Sequence, residues 1–385
     1  MSLTRLLTML AIVGVVLGGT HWYLVARLVR DTQLPEGATR AGKLLIAALA
    51  VLVLAGFAAA RSSNRAAVVV LTNSAYVWLG LFFFLFLGLL AADLARLLWW
   101  VGSRLSGPIV DDPERRRFFA RAVALAAGGT AVAAGAFGAT QALGEVAVKV
   151  VRVALPRLDR SKAPTRRIVQ ITDVHIGATL RRDWLARIVA RINALEADAI
   201  VITGDLVDGS VTALAEHVAP LAELRAREGV YFVTGNHEYY SGAQEWVDHL
   251  TGLGIRVLRN ERVALEGFDL AGVDDYSAHE FGHGHGADYE KALGGRDPSR
   301  AVILLAHQPR AVTEAARHGT DLVLSGHTHG GQLFPWNLVV PLQQPYVAGL
   351  HEHQGTLIYV SCGTGFWGPP MRVGAPAEIT SLELS

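Results

Sequence analysis

Apolar positions follow two different rhythms along this chain. In the first third they form long stretches broken by clumps of charge; later they form short runs, each closed by polar residues. Four of the long stretches, about 6–28, 44–60, 68–92 and 118–143, are almost free of charge. A helix crossing a bilayer needs about 20 predominantly apolar residues. Residues 1–143 are therefore expected to form a membrane region with about four transmembrane helices. The fourth stretch is rich in Ala and Gly, which suits close helix packing in lipid. Tyr76, Trp78, Trp99 and Trp100 fall where interfacial rings are expected.

From residue 166 the pattern becomes strand-like runs alternating with helical spacings. RIVQITDVH (167–175), AIVITGD (199–205), GVYFVTGN (229–236), AVILLAHQP (301–309) and DLVLSGHTH (321–329) predict strands. Segments 181–195, 212–224 and 243–253 have helical spacing, and 262–273 predicts a hairpin turning at Gly267. This order predicts a layered α/β or α+β domain over 166–385. Residues 144–165, with two prolines and alternating charge, are expected to be a linker. EVAVKVVRVAL within it is a candidate amphipathic helix on the bilayer surface.

Composition sharpens this division. The 385 residues are 51% hydrophobic and 18% charged. That is too apolar for an ordinary soluble protein and too charged for a membrane bundle alone. A net charge of +1, without a basic patch interleaved with aromatics, points away from nucleic acid. The single cysteine, Cys362, excludes an internal disulfide and any thiolate cluster.

Loop charge predicts orientation. The first and third loops carry nine Lys and Arg; the N-terminus and second loop carry three. This places those two loops in the cytoplasm and the 166–385 domain outside. Counting Lys149, Arg152, Arg157, Arg160 and Lys162, just after the fourth stretch, makes it nine against eight. ERRRFFARAVALAAGG resembles a twin-arginine export signal; a basic loop flanking an ordinary span is the other reading.

The predicted strands share one property. Asp173 and His175 end the first, Asp205 the second, and Asn236, His237 and Glu238 the third; His307, then His327 and His329, end the later two. Ligands of open α/β sheets bind beyond the carboxyl ends of the strands. Capping or core packing explains each residue alone, but not one chemistry at the same end of five strands. About seven nitrogen and oxygen donors among these nine residues exceed one tetrahedral site. They suit two divalent ions of Mn, Fe or Zn, about 3.5–4 Å apart, with Asp205 as a bridge.

In order, DVH, GDLVD, GNHE, AHQP and GHTHGGQ resemble the calcineurin-like metallophosphoesterase superfamily over 167–385. With the apolar N-terminus, they are most similar to its membrane-associated, YkuE-like bacterial branch and the transmembrane metallophosphoesterases. The resemblance implies a multi-span α-helical membrane region followed by an α/β domain, a two-sheet β-sandwich flanked by helices. It places Asp173, His175 and His329 on one metal, Asn236, His307 and His327 on the other, and Asp205 between them. It implies attack by a metal-activated hydroxide, with His237 as general acid and Glu238 orienting it. For Asp208 a capping or hydrogen-bonding role is expected. Arg372 is a candidate bidentate partner of a substrate phosphate, a surface salt bridge being the alternative. Phe366 and Trp367 are candidates for an apolar substrate groove, for contact with lipid or for cover of the sheet edge, and HEFGHGHG (279–286) for a flexible loop near the mouth, a third metal site being the alternative.

The expected function is a membrane-anchored phosphoesterase in a bacterial cell membrane. Its expected partners are the lipid bilayer and a lipid-linked phosphodiester or pyrophosphate, such as a phospholipid or a UDP-2,3-diacylglucosamine-like molecule. A broad phosphodiesterase or nuclease, and a non-catalytic metal-binding sensor, are the alternatives.

Overall fold

The computed structural model describes residues 3–59, 68–104, 112–161, 165–282 and 284–385. The chain divides into two units, residues 1–137 and 138–385. Among the described residues, three helices are long and apolar enough to cross a membrane: Glu36–Ala59, Val69–Ser103 and Pro113–Leu143. The expected first span forms helix Leu3–Leu24, although several of its side chains lie outside the described residues. So do Arg61, Arg65 and Lys162, which entered the charge count.

Within the first unit, Leu24, Val29, Ile46, Leu85, Leu89 and Ala127 pack together. Asp93 accepts hydrogen bonds from Tyr23 at 2.7 Å and from Arg27 at 2.9 Å. Pairing of this kind is what makes an ionised group tolerable near lipid.

In the second unit, twelve strands form two six-stranded sheets among the described residues. The first contains β1 (Ala147–Val153), β2 (Arg166–Ile171), β3 (Ala199–Thr203), β4 (Val230–Val233), β5 (Arg256–Val257) and β12 (Glu378–Leu384), in the order β1-β12-β2-β3-β4-β5. The second contains β6 (Glu261–Leu265), β7 (Phe268–Gly272), β8 (Ala301–Leu305), β9 (Leu322–Ser325), β10 (Gly349–His353) and β11 (Thr356–Val360), in the order β10-β11-β9-β8-β7-β6. The β6–β7 hairpin turns at Gly267 as expected.

Alternation along the strands explains why the sheets stack. Ala301, Ile303 and Leu305 of β8 face the first sheet's Ile168, Val201 and Val233. Val302 and Leu304 point the other way, toward Val312 and Ala315 of helix Val312–Arg317. On the far side, Val169, Ile171 and Ile202 meet Leu185, Ile188 and Ile192 of helix Arg182–Asn193, together with Trp246. The inner strands β3, β8 and β9 are therefore buried on both faces and apolar without a visible period, while the edge strands β1 and β10 stay partly exposed.

One expected boundary changes. The segment read as a linker, with a candidate surface helix, instead supplies β1, which pairs in parallel with β12 along its whole length. Val148, Val150, Val151 and Val153 are β-branched and suit a strand more than a helix.

Candidate metal centre

β2, β3 and β4 run parallel, as do β8 and β9. Their carboxyl ends therefore carry Asp173, His175, Asp205, Asn236, His307, His327 and His329 to one edge of the sandwich. Donor atoms form three groups, and within each group they lie within 4.8 Å of one another: Asp173, His175 and His329; Asp205, His307 and His327; and His175, Asp208 and His237. His329 Nε2 is 3.1 Å from His175 Nε2 and 3.3 Å from Asp173 Oδ1. His307 Nε2 is 3.1 Å from Asp205 Oδ2 and 3.2 Å from His327 Nδ1.

The glycines of the motifs let these loops converge. A Cβ at Gly235 would be driven into Asp205 Oδ1, and one at Gly326 into Asp173 Oδ2. Backbone amides complete the contacts: His327 N–H donates to Asp173 Oδ2 at 2.9 Å, and His237 N–H to Asp205 Oδ1 at 2.9 Å. The backbone is also held in an uncommon region. Asp173, His175, Asp205, His327 and His329 make up five of the ten non-glycine residues with positive φ among the described residues. Such conformations concentrate where the surrounding structure imposes them, commonly at functional sites.

The donor set fits two cations by three observations. Asn236 Oδ1 is buried with no hydrogen-bond partner, and a cation would supply one. His307 Nδ1 donates to Thr203 O at 2.8 Å, and His175 Nδ1 to Asp208 Oδ1 at 2.9 Å, leaving each Nε2 free to ligate. The two aspartates differ: burial raises Asp173, whereas at Asp205 His307, His237 and His175 outweigh burial and hold the carboxyl well below its usual range. Burial drives His329 well down, with His175 and Arg372 adding to the effect, so it stays neutral as a ligand must.

His237 opens helix Asn236–Ser241 with Asn236 and Glu238. Its side chain is 15% exposed, at the rim of the cluster. Nδ1 meets Asp208 Oδ1 at 2.6 Å, and Nε2 lies 4.0 Å from Asp205 Oδ2. Burial would lower its pKa, but Asp205, Asp208 and Glu238 overrule it and push it up to about 9.

Two expected roles are corrected. Glu238 does not orient the His237 ring. It is fully buried and accepts from the amides of Gly235, Asp205 and Leu206 at 2.6, 3.0 and 2.8 Å. It ties the loop after β3 to the loop after β4, and Asp208 holds the ring instead. Arg372 is not available to a substrate phosphate. It is 1% exposed, donates to Gly365 O and Ala375 O, and lies 3.3 Å from His329 Nδ1. The spacing of GDLVD marked Asp208, but its contact with two separate histidines depends on tertiary packing. Of the histidine–glycine loop, His283 lies outside the described residues.

A fold of two stacked sheets with paired donor groups at one edge defines a class of metal-dependent phosphoesterases. Residues 166–331 match the Calcineurin-like phosphoesterase family. The chain is 43% identical over 239 residues to a metallophosphoesterase of Helicobacter pylori, covering 62% of this chain and 63% of that one. It is 42% identical over 304 residues to a transmembrane protein with metallophosphoesterase domain from Bos taurus, covering 75% and 67%. Against metallophosphoesterase YkuE of Bacillus subtilis the figures are 32% over 226 residues, 57% and 78%. The chain thus spans a little under two thirds of the Helicobacter relative's length. It belongs to the calcineurin-like metallophosphoesterase family.

Proposed function

We propose that this protein is a membrane-anchored phosphoesterase that hydrolyses a phosphodiester or pyrophosphate bond in a lipid-linked substrate. The observation that carries it is the convergence of seven nitrogen and oxygen donors at one sheet edge of a chain with three membrane-length helices among its described residues. Asp173, His175 and His329 would hold one divalent cation, Asn236, His307 and His327 a second, with Asp205 between them. Mn, Fe and Zn all suit this donor set. Bound there, the cations would supply Lewis acidity and lower the pKa of water.

The chain's own residues do the rest. Asp208 fixes the His237 ring through Nδ1, which leaves Nε2–H toward the centre. Carboxylates around His237 keep it protonated at neutral pH, so it can give that proton to the leaving alkoxide. Glu238 keeps Asp205 in register with Gly235. An extracytoplasmic catalytic domain rests on the nine-to-three count of Lys and Arg in the loops between the apolar stretches, a count that narrows to nine against eight once the residues after the fourth stretch are included.

The test is turnover of a chromogenic phosphodiester and of phospholipid by the full chain in detergent, metal-stripped and then reloaded with Mn²⁺, beside Asp205→Asn and His237→Ala. Activity that returns with metal and is lost in both variants supports the reading, and preference for phospholipid supports the lipid-linked class. A folded, metal-loaded chain that hydrolyses neither substrate refutes the reading.

A further inference from the structure

Phe334, Trp336, Leu338, Val339 and Leu342 are exposed large apolar side chains within nine consecutive residues; Leu338 is 68% exposed and Leu342 87%. No Asp, Glu, Lys or Arg occurs from residue 332 to 350. The segment is not loose coil, since two short 3₁₀ turns, Trp336–Leu338 and Val340–Leu342, hold it with neither turn burying a residue. Contiguous exposed apolar surface of this kind marks a contact with a partner or a membrane.

Two connections say which. At its root, Leu333 pairs with Val373, and Phe334 N–H donates to Val373 O at 2.8 Å. The adjoining Arg372 N–H donates to Gly138 O at 2.9 Å, and a Cβ at Gly138 would touch Met371 and Val373. Gly138 lies in the last turns of Pro113–Leu143, a helix of membrane length. The apolar loop is therefore rooted beside Gly138, the residue at which the second unit begins. The second connection runs to the metal centre. Gln332 Nε2 donates to Trp367 O at 2.9 Å, and Trp367 N–H donates to Gln332 Oε1 at 3.0 Å. The half-exposed Trp367 ring stands 5.7 Å from the ring of His237.

We propose that residues 334–342 insert into the lipid bilayer, so that Trp367 and His237 stand at headgroup level. The occupant is the bilayer, because this chain carries its own membrane-length helices and the loop's composition, Trp and Phe beside Leu and Val with no charge, is that of an interfacial insert. Insertion itself does not depend on the substrate reading above.

The test uses the full chain reconstituted in phosphatidylethanolamine–phosphatidylglycerol vesicles. An NBD fluorophore is placed on Leu342→Cys or Leu338→Cys, with Glu223→Cys, an exposed position elsewhere in the second unit, as reference. Unsubstituted protein controls for the native Cys362, which is buried. Doxyl-labelled lipids are expected to quench the Leu342 and Leu338 labels several-fold more than the Glu223 label, with iodide quenching in the opposite order. Equal access of iodide to all three positions would overturn insertion. So would loop labels shielded from both quenchers, which would mean docking on protein, whether this chain's helices or a second copy. The readout needs no turnover: insertion without phospholipid hydrolysis would sink the lipid substrate and leave the loop's role standing.

Discussion

One oxygen atom of Asp208, Oδ1, accepts from His175 Nδ1 at 2.9 Å and from His237 Nδ1 at 2.6 Å. A candidate metal ligand and the candidate general acid are therefore oriented by the same carboxylate. Their rings meet edge to face at 4.7 Å. Asp208 itself is held below the usual carboxylate range: burial would raise it, but the charges and hydrogen bonds of His175 and His237 outweigh that.

Asp208→Asn is expected to lower activity about 10- to 100-fold, the range found when a partner behind a metal ligand is removed. It also removes a negative charge beside His237. A general acid works while protonated, so activity falls as pH rises through its pKa. Without Asp208 that pKa drops, and the alkaline limb of kcat/KM is expected to move to lower pH. An unmoved limb would separate Asp208 from His237.

Glu238→Ala strips the acceptor from three buried amides, those of Gly235, Asp205 and Leu206. The expected loss is roughly 3 kcal/mol, about one for each orphaned donor. Thermal unfolding should show it as a lowered Tm, with weaker Mn²⁺ binding because Asp205 is no longer fixed. A variant with native Tm and poor turnover would instead mark Glu238 as part of the chemistry.

Arg372→Lys separates two roles. Lysine cannot reproduce the guanidinium fork that spans Gly365 O, Ala375 O and the His329 ring. The expected result is weaker metal binding, with KM for substrate nearly unchanged once metal saturates. A raised KM at saturating metal would restore a direct contact with phosphate.

Metal uptake should release protons. In the absence of cations, burial works to lower the His307 pKa, but Asp205 and Asp173 overcome it and hold it well above the ordinary value. A cation at Nε2 must displace that proton. Affinity should therefore weaken as pH falls. Calorimetric titration with Mn²⁺ in buffers of different ionisation enthalpy should give a positive slope of released protons, and a flat series would contradict the assignment of His307.

The candidate ligands were legible because each ends an apolar run: Ile171 precedes Asp173, and Leu324 and Ser325 precede His327. Membrane-length helices were legible from length and lack of charge. The two sheets were not, because Val302 and Ile303 are equally buried on opposite faces of β8 and leave no period to count. β1 was hidden by Lys149 and Arg152, which break up an otherwise valine-rich strand yet pair with Glu378 and Glu383 of β12 at 3.1 and 3.2 Å. Sequence adjacency placed Glu238 beside His237, whereas the chain path brings Asp208 to the ring, in the hydrogen-bonding role expected of it. Nothing local in GPPMRVG tells a buried guanidinium from a solvated one.

The left-handed backbone at Asp173, His175, Asp205, His327 and His329 also governs which replacements the site can survive. Asp, Asn, His and Gly tolerate that conformation far better than other residues. The loops and the cations thus ask for nearly the same short alphabet. In a lineage that lost catalysis, these positions would drift first toward Asn or Gly rather than Ala or Val, so the loops could outlive the chemistry.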